Sequence, residues 1–97
     1  MSEIDKYISK LKESMPFLKA NFYVSSIEIF GSYVRGEHKE TSDIDILVAF
    51  DKTIDLFKFI ELENLLSELI GIKVDLVMKD SLKPRIKDRV LKEAIPV

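Results

Sequence analysis

The chain has no cysteine among its 97 residues. This absence excludes disulfide bonds and thiolate metal sites. No apolar run approaches the roughly 20 residues of a membrane-spanning helix. The N-terminal segment, residues 1–12, is charged and lacks the apolar centre of a signal peptide. We therefore expect a soluble cytoplasmic protein.

Neither positive nor negative charge dominates the sequence. Lys and Arg number 15 and Asp and Glu number 17, which gives a net charge of −2. Such a mixed balance argues against a broad nucleic-acid surface. The sequence contains no internal repeat, low-complexity tract or linker. With 46% hydrophobic residues, it predicts a single domain over residues 1–97 with a core of its own.

Hydrophobic periodicity predicts helices and strands in alternation. An amphipathic helix begins at the N-terminus, and Pro16 is expected to end or kink it near Ser14. A second long helix is predicted with Thr53 as its N-cap. The remaining predicted elements are strands at 25–30, 43–50 and 72–78, a short helical turn at 33–36, a last helix from 81 or 82 to 94 and an extended tail at 95–97. This order indicates an α+β (α/β) fold with a small mixed sheet of three strands, or four, and helices packed on it.

Two aspartates, Asp43 and Asp45, open the second predicted strand. Strand residues two apart point to the same face, so their carboxylates should lie roughly 6–7 Å apart. Asp75 lies in the middle of the third strand, and aspartate is unfavourable in strands. Three carboxylates that converge repel each other unless a cation lies between them. An oxygen-only site selects a hard cation, Mg²⁺ or Mn²⁺.

The pair Gly31-Ser32 follows the first predicted strand, ten residues before Asp43. Glycine lets a phosphate approach the backbone, and Ser32 with the N–H groups that follow it could donate to phosphate oxygens. Arg35 is a further candidate for contact with phosphate, or a surface residue without a role. A plain strand-to-helix turn is the alternative for the pair itself. Combined with the aspartates, the pattern predicts a metal-plus-phosphate site.

Two better-known motifs match parts of this segment, but the sequence excludes both. Gly31 and Gly36 have the spacing of a P-loop, but Glu37 and His38 stand where Lys and Ser or Thr are needed. An EF-hand loop is excluded because apolar residues alternate with the aspartates. His38 is the only histidine and lies in a polar loop, so we expect it to be exposed to solvent rather than catalytic.

Two segments carry a family resemblance. Phe30-Gly31-Ser32-Tyr33-Val34-Arg35-Gly36 and Ser42-Asp43-Ile44-Asp45-Ile46-Leu47-Val48 resemble the signature of the polymerase-beta-type nucleotidyltransferase superfamily. The length of the chain and its ending, Val74-Asp75-Leu76-Val77 and Leu82-Lys83-Pro84-Arg85-Ile86, resemble the minimal nucleotidyltransferases. These are the MNT (MntA-like) antitoxins of HEPN/MNT toxin–antitoxin pairs.

The resemblance implies a minimal nucleotidyltransferase fold and a role for each motif residue. Asp43 and Asp45 would hold two Mg²⁺ ions around a nucleoside triphosphate, here ATP as substrate. Asp75 would bind the catalytic metal and help to activate the acceptor hydroxyl, so all three aspartates are candidate catalytic and metal-binding residues. Gly31 and Ser32 match the residues that hold the triphosphate. Tyr33 departs from the pattern, since many relatives carry arginine there, which affects one phosphate contact and no metal ligand.

The implied function is transfer of AMP from ATP to a tyrosine of a cognate HEPN-type toxin. We expect no separate acceptor domain in so short a chain, so the acceptor should arrive on a partner or be small and loosely held. The acidic pI of about 5.4 argues against an RNA strand, and we expect no direct nucleic-acid binding and no membrane partner. A first alternative is a non-catalytic antitoxin that acts by direct binding of the toxin. A second is nucleotidyl transfer to a small molecule. The base preference and the oligomeric state are left open.

Overall fold

A computed structural model describes residues 2–97 as four helices around a four-stranded sheet. The elements in chain order are α1 (Glu3–Phe22), β1 (Val24–Phe30), α2 (Ser32–Arg35), β2 (Ile44–Phe50), α3 (Leu56–Ile70), β3 (Val74–Met78), a 3-10 turn (Lys79–Ser81), α4 (Pro84–Glu93) and β4 (Ile95–Pro96). The strand order is β3-β2-β1-β4, with β2 and β3 parallel and the other two pairs antiparallel. The expected mixed sheet is therefore confirmed, with the C-terminal tail as its fourth strand.

Helix α1 continues past Pro16 to Phe22, so of the two expected effects of the proline, an end or a kink near Ser14, the end is wrong. A proline in a helix interior removes one N–H and costs about 3 kcal/mol. The side chains of Leu11, Leu18 and Phe22, on both sides of the proline, are buried. Each such burial contributes roughly 1.5–3 kcal/mol. Together they outweigh the cost of the proline, which is itself exposed.

The main core lies between one face of the sheet and helices α1 and α3. Strand residues alternate between faces, and the alternate apolar residues of β1, β2 and β3 supply the sheet side of this core. The fully buried strand and helix residues include Ile27, Ile29, Ile44, Ile46, Val48, Val74, Leu62 and Leu66. The opposite face carries Asp45, Leu47 and Asp75, so the period-2 pattern that builds the core also presents the acidic residues on the other side.

Strand β3 is an edge strand, and α3 satisfies part of its free edge. Ser67 Oγ accepts a hydrogen bond from the Val74 N–H at 3.0 Å, and Glu63 Oε2 accepts one from the Leu76 N–H at 2.9 Å. The predicted start of this strand at Ile72 was two residues early, because Gly71 ends α3 with a φ of 79° and pairing with β2 begins at Val74. No helix within residues 2–97 has the length and apolar character needed to cross a membrane.

The N-cap of α3 is Asp55 and not Thr53, which corrects the sequence prediction. Asp55 Oδ1 accepts a hydrogen bond from the Lys58 N–H at 2.8 Å. We expect Asp55→Ala to lower the free energy of unfolding by about 1 kcal/mol, because the N–H loses its acceptor at the helix end. Urea denaturation measures this, with Thr53→Ala as the matched control that should leave stability unchanged. Equal losses in the two variants would contradict the assignment of the cap.

Candidate active site

Strand pairing brings the three aspartates to one end of the open sheet face. Asp45 of β2 is paired in register with Asp75 of parallel β3 on one side and with Phe30 of β1 on the other. Side chains at paired positions point to the same face, so the carboxyl groups of Asp45 and Asp75 are neighbours. Asp43 immediately precedes β2, two residues before Asp45. Asp75 therefore lies beside Asp45 although the two are 30 residues apart, and Asp43 is close enough for its charge to act on Asp45.

Burial, together with the neighbouring carboxyl groups, raises the pKa of Asp45 from an ordinary 3.8 to about 6. Burial is the largest cause, followed by the charge of Asp75, a hydrogen bond with its carboxyl group, and the charge of Asp43. The positive charge of Arg35 acts in the opposite direction but does not cancel them. A cation bound among these carboxylates would relieve their mutual repulsion.

The Asp45 carboxylate packs directly against the backbone of Gly31. It adopts a φ of 82° and a ψ of −152°, a conformation accessible essentially only to glycine. A Cβ built on Gly31 would overlap Asp45 Oδ2 and would lie 3.0 Å from Asp45 Cγ. The backbone of the Gly31-Ser32 turn therefore touches the acidic cluster directly.

Arg35, the last residue of α2, is held by two carboxylates. Its Nη1 donates to Glu93 Oε1 at 2.7 Å and its Nε donates to Glu37 Oε1 at 2.9 Å. The other oxygen of Glu93, Oε2, accepts a hydrogen bond from the Gly31 N–H at 2.8 Å. Burial acts to raise the pKa of Glu93, but the hydrogen bonds from Arg35 and Gly31 outweigh it and keep the pKa below its ordinary value.

The loop between α2 and Asp43 is packed rather than free. The rings of Tyr33 and His38 stack with centroids 3.9 Å apart, and Tyr33 Oη donates to the Ser42 carbonyl at 3.4 Å. His38 is therefore half-buried, and the expectation that it is exposed is wrong. Tyr33 is buried. Tyr33 therefore packs the loop that leads to Asp43 against the body of the domain.

The donor set suits a hard divalent cation, but the cluster is not a closed metal cage. Within residues 2–97, no group of three or more His, Cys, Asp or Glu side chains is already spaced as a metal site. Burial and the neighbouring carboxyl group of Asp75 raise the pKa of Asp45 to about 6. Carboxylate oxygens are the preferred ligands of Mg²⁺, whose charge would offset the repulsion among them. The residues present therefore fit such an ion.

Five of the predicted site residues lie together, namely Gly31, Arg35, Asp43, Asp45 and Asp75. Ser32, the sixth, is the first residue of α2 and follows Gly31 directly. Sequence reasoning missed Glu93, which contacts both Gly31 and Arg35 from the end of α4. It is 62 residues from Gly31 and belongs to no motif. A local pattern does not mark it, because its role arises only when β4 pairs with β1.

Comparison with known proteins identifies a family and relatives of this chain. A family model for the nucleotidyltransferase domain matches residues 8–97. The chain is 50% identical over 97 residues to "Protein adenylyltransferase MntA" of Thermococcus cleftensis, an alignment that covers 100% of this chain and 95% of that protein.

Two solved structures have the same fold. One, described as a "putative minimal nucleotidyltransferase", has a TM-score of 0.78 and 36% identity, with 100% of this chain and 97% of that chain covered. A chain in a structure of a tri-AMPylated Shewanella oneidensis HEPN toxin in complex with MNT antitoxin has a TM-score of 0.60 and 26% identity, with 97% and 67% covered. With the Gly-Ser turn and the aspartates in one site, these similarities establish that the chain belongs to the nucleotidyltransferase domain family, in its minimal, MntA-like branch.

Proposed function

We propose that this nucleotidyltransferase is an antitoxin that transfers AMP from ATP to a tyrosine hydroxyl of a cognate HEPN-type toxin, with Mg²⁺ as cofactor. The observation that carries the proposal is the Asp45 carboxyl group. It lies on Gly31 and between Asp43 and Asp75, and its pKa is raised to about 6. The Thermococcus cleftensis relative is named a protein adenylyltransferase, which supports AMP as the group transferred.

Each residue of the site has a part in the proposed reaction. Gly31 and Ser32 bind the triphosphate, which the Gly31 turn allows to approach the backbone, and Arg35 adds positive charge. Asp43, Asp45 and Asp75 would hold the divalent cation, which when bound neutralises phosphate charge and stabilises the attacking and leaving oxygens. Carboxylates suit this role because they bind hard cations and also accept protons.

The proposed transfer forms one bond and breaks one. The tyrosine oxygen attacks the α-phosphorus of ATP, and the bond from the α-phosphorus to the bridging oxygen of pyrophosphate breaks. The hydroxyl proton passes to the Asp75 carboxylate and from there to solvent, and pyrophosphate leaves. Asp75 suits this role because its side chain is exposed on an edge strand, where a residue of a partner protein can reach it.

The test is transfer of the adenylyl group to the co-purified toxin, measured by intact-protein mass spectrometry after incubation with Mg-ATP. We expect the toxin to gain the mass of AMP with the wild-type protein, and the modified residue to be a tyrosine. Asp43→Asn should lower the rate at least a hundredfold, since removing one ligand of a catalytic cation costs several kcal/mol of transition-state stabilisation. Asp51 is exposed and directly follows the C-terminal end of β2, whereas Asp43 directly precedes its start. Asp51→Asn is therefore the matched control and should retain activity.

Two results would overturn the proposal. The first is an unmodified toxin that is nevertheless neutralised equally by wild type and Asp43→Asn, which would establish inhibition by contact alone. The second is equal rates for Asp43→Asn and Asp51→Asn, which would place the chemistry elsewhere. Modification of a residue other than tyrosine would retain the enzyme and correct the acceptor.

A further inference from the structure

Glu93 connects the C-terminal helix to the turn predicted to bind the triphosphate. Both of its carboxylate oxygens are engaged, Oε2 by the Gly31 N–H at 2.8 Å and Oε1 by Arg35 Nη1 at 2.7 Å. The side chain is only 16% exposed, whereas that of Glu37, the other carboxylate on Arg35, is 60% exposed. Glu93 is thus the partner that fixes Arg35 to the body of the protein.

The pairing of β4 with β1 explains why Glu93 reaches Gly31. Ile29 pairs with Ile95 in an antiparallel register, and Glu28 pairs with Pro96. The same register continued by two residues places position 93 opposite position 31. Position 93 belongs to α4 and not to β4, so its backbone does not continue the strand pairing. The Glu93 side chain instead accepts the hydrogen bond from the Gly31 N–H that a strand carbonyl would otherwise accept. The hydrogen bond therefore holds the end of β1 at the point where the turn begins.

The same contact orients Arg35. Arginine loses much rotamer freedom when it binds a phosphate, and a partner that holds it beforehand reduces that loss. The guanidinium carries five N–H donors. Among the described residues, the contacts to Glu93 and Glu37 use Nη1 and Nε, so the Nη2 hydrogens are available to a phosphate oxygen.

We propose that Glu93 is a positioning residue for nucleotide binding, which fixes the Gly31 turn and orients the Arg35 guanidinium toward the triphosphate. The proposal rests on the proposed function, because it takes ATP as the substrate of this site. It assigns a role in binding to the C-terminal end of α4, which carries none of the site residues predicted from the sequence. Glu93 contacts the residues that bind ATP and acts through them.

The first test compares Glu93→Gln with Glu37→Gln. Glutamine retains an oxygen that can accept the Gly31 N–H, but its amide cannot form an ion pair with Arg35. We expect the Kd of Mg-ATP, measured by isothermal titration calorimetry, to rise about tenfold in Glu93→Gln, the size of a lost charge-assisted contact. The kcat at saturating ATP should change less than about twofold, a split that a general loss of structure would not produce. Glu37→Gln should bind ATP as the wild type does.

A double-mutant cycle with Arg35→Gln separates positioning from a merely structural role. If Glu93 acts through Arg35, then Glu93→Gln should have little further effect on the Kd once Arg35 is already Gln. An equal tenfold loss in both backgrounds would assign Glu93 to the fold alone and overturn the proposal.

Other outcomes are equally decisive. Unchanged affinity in Glu93→Gln would overturn positioning while the proposed function stands, because the wild type binds ATP. Tighter binding would overturn it in favour of a carboxylate that competes with phosphate for Arg35. A wild-type protein that neither binds Mg-ATP nor modifies the toxin would overturn the proposed function as well.

Discussion

Replacement of Asp45 by Asn is expected to abolish adenylyl transfer and, in the metal-free protein, to increase stability at pH 7.5. The loss of activity should be about a thousandfold or more, because a carboxylate that we propose as a ligand of the divalent cation becomes a neutral amide. The gain in stability has a separate cause. At this pH the folded wild type carries an ionised carboxylate that burial, Asp75 and Asp43 disfavour.

The sign and pH range follow from the pKa of Asp45. Its folded value of about 6 lies above the ordinary 3.8, so the folded state binds the proton more tightly than the unfolded state. The stability that this group contributes is fully present below pH 3.8 and is lost as the pH rises through about 6. The difference corresponds to at most ~3 kcal/mol, and screening by water at this half-buried group reduces the expected gain to about 1–2 kcal/mol.

Chemical denaturation of both proteins between pH 4 and 8, with EDTA present, measures this effect. The two curves should nearly coincide at pH 4, separate progressively as the pH rises from about 4 to 6, and run parallel above that range, with Asp45→Asn the more stable. Asp51→Asn is the control and should follow the wild type throughout. A constant offset between wild type and Asp45→Asn at all pH values would show that repulsion within the aspartate cluster is not its cause.

Gly31→Ala is expected to lower the rate of transfer about a hundredfold and to destabilise the protein by about 2–4 kcal/mol. Two physical causes add. The backbone conformation, with a φ of 82° and a ψ of −152°, is strained for alanine by about 1–3 kcal/mol. The new methyl group would overlap Asp45 Oδ2, so the carboxylate or the turn must move. Even a displacement of about 1 Å of a catalytic group can cost a hundredfold in rate.

Gly71→Ala is the matched control for this substitution. Gly71 has a nearly equal φ of 79°, yet a Cβ there would meet no atom within 4 Å. It should lose about 1 kcal/mol of stability and no activity. The stability cost of Gly31→Ala should also fall when Asp45 is replaced by Ala, since most of the overlapping side chain is then absent. A Gly31→Ala protein that matches Gly71→Ala in both measurements would contradict a direct contact between turn and carboxylate.

Much of the site was accessible from the sequence because its elements are local. The period of two in a strand places Asp43 and Asp45 on one face, and a glycine before a serine marks a turn that a bulky ligand can approach. The confirmed family and fold followed from the same residues. The errors also had local origins. Propensity placed the end of α1 near Pro16 and the cap of α3 at Thr53, whereas burial of Leu18 and the reach of Asp55 decided otherwise.

The family of this protein can be recognised in its amino-acid sequence, because the acidic pair, the Gly-Ser turn and the third aspartate each lie within a few residues. How these parts act on one another depends on the folded arrangement of the strands and helices. Parallel pairing of β2 with β3 places Asp75 beside Asp45 and raises the pKa of Asp45. Pairing of β4 with β1 brings Glu93 to Gly31 across 62 residues. Such contacts depend on register between distant segments, and a pKa depends on burial and neighbouring charges, neither of which a local pattern contains.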